Sequence, residues 1–491
     1  MILYLRSRQR LALNAALLGL FLFGCFLFGV FSVRTTVYGL MLVGAMFCLV
    51  VYWSRPEAMV WVALFLAMAS LPQGLHVGKV FGPVSIYAYH LALLLGICYL
   101  IPFVRPRFTD FLLPAMFVVI VLYFAAVGFE TGHAPVAVVR EATFLLEMAA
   151  GFVLALLVVA GDYIKGVMGA IAVMLWFSAG MAVMGSLHGV QLVGREVGVE
   201  TGESVTRVIT TALTPAVAVL TALVAATIVR RVPPATYLVL GVPALVIALL
   251  AFSRNTLISA TVAAVVAFLA NLGWSALRRT FGFLAVGAAV LAVTLPGALF
   301  LLQHSAAGTW LGDQLTAYSH RVLGGVSASA LAVDQSTLDR LAENDHLIPA
   351  IAKAPVFGHG LGYAYQLPFG NDPTGFTETL GTTYAHNFYL WWLVKAGAVG
   401  MAAFVVLASV PIVRALRRGS APAKISAAVS IGLLVMCNVD PLPEESPNGL
   451  TLGLALGAAM AYASLRRTAQ ETDEAEAEAV DAEPVPAVMS R

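Results

Sequence analysis

Residues 111–129 read FLLPAMFVVIVLYFAAVGF, nineteen positions without a charged side chain. A helix needs about 20 mostly apolar residues to cross the hydrocarbon core of a bilayer, so this stretch is long enough to span one. The pattern recurs along the chain. Apolar runs fall near residues 11–32, 36–53, 58–71, 84–103, 111–129, 142–160, 166–184, 208–229, 235–252, 256–272, 281–302, 385–410, 423–440 and 448–464, with 58–71 the weakest. Of the 491 residues, 60% are hydrophobic and 11% charged, against about 45–50% and about 25% in soluble domains. A mean hydropathy of +0.90 leaves too little polar surface to coat a water-soluble globule. Lipid must be the solvent for most of this chain. The expected fold is all-α integral membrane, with about 12–14 transmembrane helices, polytopic over residues 1–467.

Arg6, Arg8 and Arg10 precede the first apolar run, as in a signal peptide. That run is long and shows no small-x-small cleavage site, so it reads as the first span. Cys25, Cys48, Cys98 and Cys437 lie scattered inside apolar runs and read as packing residues, with no disulfide framework or zinc site. The segment Gln470–Arg491 holds seven acidic residues and one arginine, a net charge of −6 that leaves the rest of the chain at +8. Such a segment, taken as residues 468–491, buries no core and is expected to be a disordered cytoplasmic tail. With the N-terminus inside and the runs alternating, 18 of the 28 basic residues fall on the cytoplasmic side. The other ten are spread over longer segments, so both termini are expected inside.

Two segments on the opposite, external side are long: 185–207 and 303–384. Loops of that length usually have a function. Within the second, Ser336-Thr337-Leu338-Asp339 fits a capping box, and Leu338, Leu341, Ile348 and Ile351 follow at near-helical spacing. Pro349 is expected to kink or restart that helix. The loop reads as a small helical cap on the outer face. No internal repeat is evident, which argues against transporter folds built from duplicated halves.

Three external features could bear chemistry. Ser253-Arg254-Asn255 is a charged break between two apolar runs with hardly any loop. An arginine at a membrane edge often snorkels to headgroups; so tight a break instead holds the guanidinium at the mouth of the bundle, where it needs an anionic partner. The cap helix supplies Arg340, as a solvated charge or as a second cation, and is followed by Pro355-Val356-Phe357-Gly358-His359-Gly360-Leu361-Gly362. No strand precedes these glycines, so a structural turn is favoured over a phosphate loop. Last, His386-Asn387 stands where the chain re-enters the membrane, above an expected aromatic interfacial belt of Phe388, Tyr389, Trp391 and Trp392. His386 is a structural residue or, beside an arginine-lined cleft, a base or phosphate contact. The external loops lack DxD, HExxH, GKS/T and GxSxG motifs. Any phosphate handled here would be neutralised by arginine forks, not by a metal.

The ordered set of the Ser253-Arg254 break, one large external loop with Arg340, the 355–362 glycine turn, and His386-Asn387 entering a helix with Leu390, Gly397 and Gly400 resembles the O-antigen ligase/polymerase superfamily. That family contains lipopolysaccharide O-antigen ligases, Wzy-type polysaccharide polymerases and bacterial O-oligosaccharyltransferases. The resemblance covers residues 235–410; the earlier spans match only as generic membrane helices. It implies a GT-C-like bundle in a bacterial inner membrane, acting at the periplasmic face without metal or cofactor. The implied donor is a glycan on a polyprenyl diphosphate, typically undecaprenyl, and the acceptor a glycan or lipid A-core hydroxyl; no nucleic acid is involved. Carried onto this sequence, Arg254 and Arg340 would contact the diphosphate, with Arg321 a weaker candidate for the same anion. His386 would position or deprotonate the acceptor hydroxyl, and Asn387 would orient its neighbourhood and join the diphosphate-binding residues. Asn255 departs from relatives, where a small residue commonly follows Ser-Arg.

Two other classes compete. A flippase for lipid-linked oligosaccharide would need a polar path through the bundle, and charged residues in the spans are few, Glu147 and Lys395 being the clearest. A non-catalytic envelope scaffold would tolerate changes at His386 and depend on the acidic tail.

Overall fold

The computed structural model describes residues 36–72, 78–81, 84–104, 108–190, 192, 198–199, 205–302, 305–324, 335–366 and 381–481. The expected span at 11–32, loop stretches 193–197, 325–334 and 367–380, and the tail past Asp481 lie outside them.

Helices dominate, as the apolar runs require, because a backbone in lipid must satisfy its own polar groups. In chain order they are α1 (Thr36–Ser54), α2 (Ala58–Met68), α3 (Ala88–Val104), α4 (Phe108–Glu130), α5 (Pro135–Ala160), α6 (Ile164–His188), α7 (Leu213–Val229) and α8 (Pro234–Leu250). There follow α9 (Arg254–Ala270), α10 (Trp274–Leu302), α11 (Ala306–Tyr318), α12 (Gln335–Lys353), α13 (Phe388–Arg418), α14 (Ala421–Met436) and α15 (Asn448–Asp481). Among the described residues, α4, α5, α6 and α13 are each long and apolar enough to cross a bilayer, and α2, α3, α7, α8, α9 and α14 are shorter apolar helices. The chain is an all-α membrane protein. Two small antiparallel hairpins interrupt the helices: β1 (Gly78–Phe81) with β2 (Val84–Tyr87), and β3 (Gly198–Val199) with β4 (Thr206–Arg207).

α5 lies at the centre, packed against α15 through Gly151, Gly453 and Gly457, where an added methyl would run into the facing backbone. Small residues let membrane helices approach in this way. On the outside, α4, α6, α8 and α9 expose large apolar side chains such as Val119, Val173, Leu245 and Leu269, as a lipid-facing surface does. α15 extends into the acidic segment as far as Asp481; Ala and Glu are strong helix formers, so local propensity favours the continuation.

The glycine turn and α13 form one interlocked unit. α13 is broken at Gly397, whose φ of 59° and ψ of −161° belong to a region only glycine occupies. The break frees backbone groups that an intact helix would pair, and the turn takes them up. His359 and Gly360 donate to the carbonyls of Val394 and Lys395 (both 2.9 Å), while Ala398 and Val399 donate to Pro355 and Val356 (2.9 and 3.1 Å). Gly358 has a φ of 60°, and a Cβ there would stand 2.5 Å from the carbonyl carbon of Lys395. The turn is structural, as its sequence suggests. Gly397→Ala is expected to cost about 1–3 kcal/mol for the backbone conformation alone and to drive a Cβ into Val356. A lower melting temperature in detergent, with less protein in membranes, would register it.

Two expectations are corrected. The Phe388/Trp391/Trp392 group is not an interfacial belt: these side chains are buried and pack against one another and against Phe117, Phe124 and Phe404. The α13 face that bears them is turned inward, against α4. In α12 the helix runs through Pro349 to Lys353 without restarting. It begins at Gln335, so Ser336 falls within the first turn; the side chains of Ser336 and Asp339, proposed for the capping box, lie outside the described residues.

Candidate functional site

The α8–α9 connection is three residues long, and Phe252 makes it possible. Phe252 adopts a left-handed φ of 45°, rare for a bulky residue, while its ring is buried against Val205, Ala317 and Val322. That anchor puts Arg254 on the first residue of α9. Its Nε donates to the Arg321 carbonyl (3.0 Å), in the wide helical turn Ser319–Leu323 that continues α11. Arg207 Nε donates to the Ala251 carbonyl (2.9 Å). Arginines from three separate segments, 207, 254 and 321, are thus gathered at one break, each half-buried.

His386 stands just before α13. Asn387 is the N-cap of that helix, its Oδ1 accepting from the amides of Tyr389 (3.1 Å) and Leu390 (3.2 Å). Capping commits the Asn387 oxygen to structure and fixes the backbone beside the histidine. Glu343 of α12 grips His386 twice. Its Oε2 accepts from the His386 backbone amide (2.9 Å), and its Oε1 lies 2.9 Å from Nδ1 of the ring. The Glu343 side chain is 7% exposed and that of His386 22%. Arg340 precedes Glu343 by three residues, which puts the two on one face of α12.

Both segments touch the α14–α15 connection, residues 437–447. On one side, Asn255 Nδ2 reaches Asp440 Oδ2 (3.4 Å). On the other, the Phe388 amide donates to the Cys437 carbonyl (3.0 Å) and the Ala385 amide to Glu444 Oε2 (3.3 Å). Burial pushes the Glu444 carboxyl well above the ordinary carboxylate range. Asn255, beside Arg254, and Ala385 and Phe388, which flank His386-Asn387, therefore touch the same connection.

Sequence reading missed Glu343, Asp440 and the company of Arg207. Glu343 left one weak signal, an Arg-x-x-Glu spacing on a loop helix. The charged residues within spans are also paired differently from what their positions suggest. Lys395 bonds to Glu141 (2.8 Å) and to the Tyr363 carbonyl (2.7 Å), and the other Glu141 oxygen accepts from the Gly362 amide (2.6 Å). Glu147 accepts from Tyr89 (2.8 Å) and Ser446 (2.9 Å) and pairs with His90 Nε2 (2.8 Å). Each of these two buried carboxylates has polar partners close by.

Helical spans with lipid-facing outer surfaces define a multi-pass membrane protein, and its arginine-bearing α8–α9 break and its His386 segment both adjoin the α14–α15 connection. Residues 239–405 match the family model described as O-antigen ligase, so this region of the chain is similar to the O-antigen ligase/Wzy-type superfamily. The match takes in Arg254, Arg321, Arg340, Glu343, His386 and Asn387, whereas Arg207, Asp440 and Glu444 lie outside it. No curated protein matches the chain. This match supports glycosyl transfer of the O-antigen ligase or polymerase type in general.

Proposed function

We propose that the protein transfers a glycan from polyprenyl diphosphate, typically undecaprenyl diphosphate, to an acceptor hydroxyl at the periplasmic face of a bacterial inner membrane. Both termini then lie in the cytoplasm. The product is a ligated O-antigen or a lengthened surface polysaccharide. The observation that carries this reading is the convergence of the arginine-lined α8–α9 break and the His386 segment on the 437–447 connection.

In this reaction the acceptor oxygen attacks the anomeric carbon. The bond from that carbon to the diphosphate oxygen breaks, and its electron pair leaves with the lipid diphosphate. The acceptor proton passes to the imidazole of His386. Negative charge grows on the departing oxygen, where fixed guanidinium donors of Arg254 and Arg340, assisted by Arg321, stabilise it. The leaving group is already attached, so no nucleotide, cofactor or metal ion enters the scheme. Asn387 acts indirectly, by capping α13 beneath the histidine.

The local pairing of Glu141 with Lys395 and of Glu147 with His90 weighs against a flippase. A transport path needs polar groups open to a passing headgroup, and these are engaged with one another.

Arg254→Ala and Arg340→Ala are each expected to slow glycan transfer by about 10²–10³, with unchanged protein in the membrane. Measured transfer of lipid-linked glycan at the wild-type rate in both variants would overturn the assignment. A deletion strain separates the two products: single unpolymerised repeats indicate a polymerase, and bare lipid core beside intact lipid-linked polymer indicates a ligase.

A further inference from the structure

We infer that Glu343 is a positioning residue that sets the tautomer of His386, so that Nε2 presents a lone pair to the acceptor hydroxyl. The inference deepens the glycan-transfer reading and rests on it.

The histidines of this protein differ in what their two ring nitrogens face. In His90 both are engaged: Nδ1 accepts from the Tyr87 amide (3.1 Å), so Nε2 must hold the proton that faces Glu147 (2.8 Å). That ring is a closed structural link. His359 Nε2 faces the Ala350 carbonyl (2.9 Å) and stacks on Tyr363 at 4.0 Å; His133 Nδ1 faces the Leu361 carbonyl (2.8 Å). A carbonyl supplies no full charge to balance an imidazolium. His386 alone of these combines a buried carboxylate on Nδ1 with an Nε2 that has no hydrogen-bond partner among the described residues.

A carboxylate accepts only, so the nitrogen facing it must carry the proton. Nδ1–H toward Glu343 leaves Nε2 as the basic nitrogen. When Nε2 takes the acceptor proton, the imidazolium forms against an anion already in place. A cap on the amide alone would need one oxygen, and Glu343 uses Oε2 for that contact (2.9 Å). Its second oxygen goes to the ring. Because Glu343 belongs to α12 and Arg340 shares its face, docking of one loop helix on the start of α13 delivers both the oriented base and a guanidinium. The base is complete only when the loop is seated.

Glu343→Gln tests this directly. An amide oxygen can keep the backbone contact, but the amide NH₂ then faces Nδ1 and favours the opposite tautomer. The comparable change in serine proteases costs about 10⁴ in turnover. Membrane vesicles from a deletion strain complemented with each variant would be assayed for transfer of the host's own lipid-linked glycan, per unit of immunoblotted protein. Glu343→Gln is expected to lower the rate by about 10²–10⁴, and Glu343→Asp, which keeps the charge, to retain most of it. In a His386→Ala background, Glu343→Gln should add no further loss, because its effect acts through the ring. A wild-type rate for Glu343→Gln, the same further loss in the His386→Ala background, or failure of both Glu343 variants to accumulate would overturn the inference and leave Glu343 a structural clamp. Full activity of His386→Ala would instead overturn the glycan-transfer reading beneath it.

Discussion

His386→Ala is expected to reduce glycan transfer by about 10²–10⁴, the usual range for losing a positioned general base. The amount of protein in the membrane should not change. The ring is 22% exposed and is held by Glu343, while the backbone contact of residue 386 with Glu343 survives the substitution. Asn387 still caps α13, and the buried Phe388, Trp391 and Trp392 still pack. The result to measure is the length distribution of surface glycan, together with the rate in vesicles. A variant with normal chains would remove His386 from the chemistry and leave the arginines as an anion site with no base. Comparison with Arg254→Ala separates the steps: loss of the guanidinium weakens stabilisation of the departing diphosphate, and loss of the imidazole leaves the acceptor proton without a destination.

The second large effect is on stability. Lys395 is fully buried and Glu141 nearly so, and they lie 2.8 Å apart. Lys395→Met leaves the Glu141 carboxylate buried without its cation, which typically costs about 3–5 kcal/mol. It also removes the donor to the Tyr363 carbonyl, so the turn that fills the Gly397 break loses a tie as well. The expected outcome is a protein that scarcely accumulates and melts at much lower temperature in detergent. The double variant Glu141→Gln/Lys395→Met should recover most of the loss, since both charges go together and a glutamine oxygen can still accept from the Gly362 amide. If the double variant is no more stable than Lys395→Met, the pair is not the source of the effect. Transfer activity in the rescued double variant should be close to normal, because neither residue belongs to the proposed reacting groups.

Much of this architecture was legible in one chain. The spans could be read because hydropathy and helix length answer to a local rule, the thickness of the bilayer. The Ser253-Arg254 break could be read because the apolar run stops and restarts within a few residues. The 355–362 turn was readable as structural from its glycines, although nothing local announced that it would satisfy a helix broken at Gly397. In α12 the apolar spacing of Leu338, Leu341 and Ile348 was clear, yet these residues are 44%, 55% and 57% exposed, while Leu347 and Glu343 are turned inward. Periodicity tells that a helix has two faces and not which one a neighbour will cover.

The sequence by itself determined the solvent, the class of fold and three of the reacting groups proposed here. It did so because burial in lipid is a per-residue constraint, and because a guanidinium or an imidazole at a membrane edge is conspicuous against an apolar background. Only the tertiary structure decided the pairings. Glu343 meets His386 across 43 residues and Glu141 meets Lys395 across 254. A carboxylate on a polar loop looks like any solvated charge until folding removes the water around it. Its meaning then depends on which donor the packing of other helices has placed within hydrogen-bond reach.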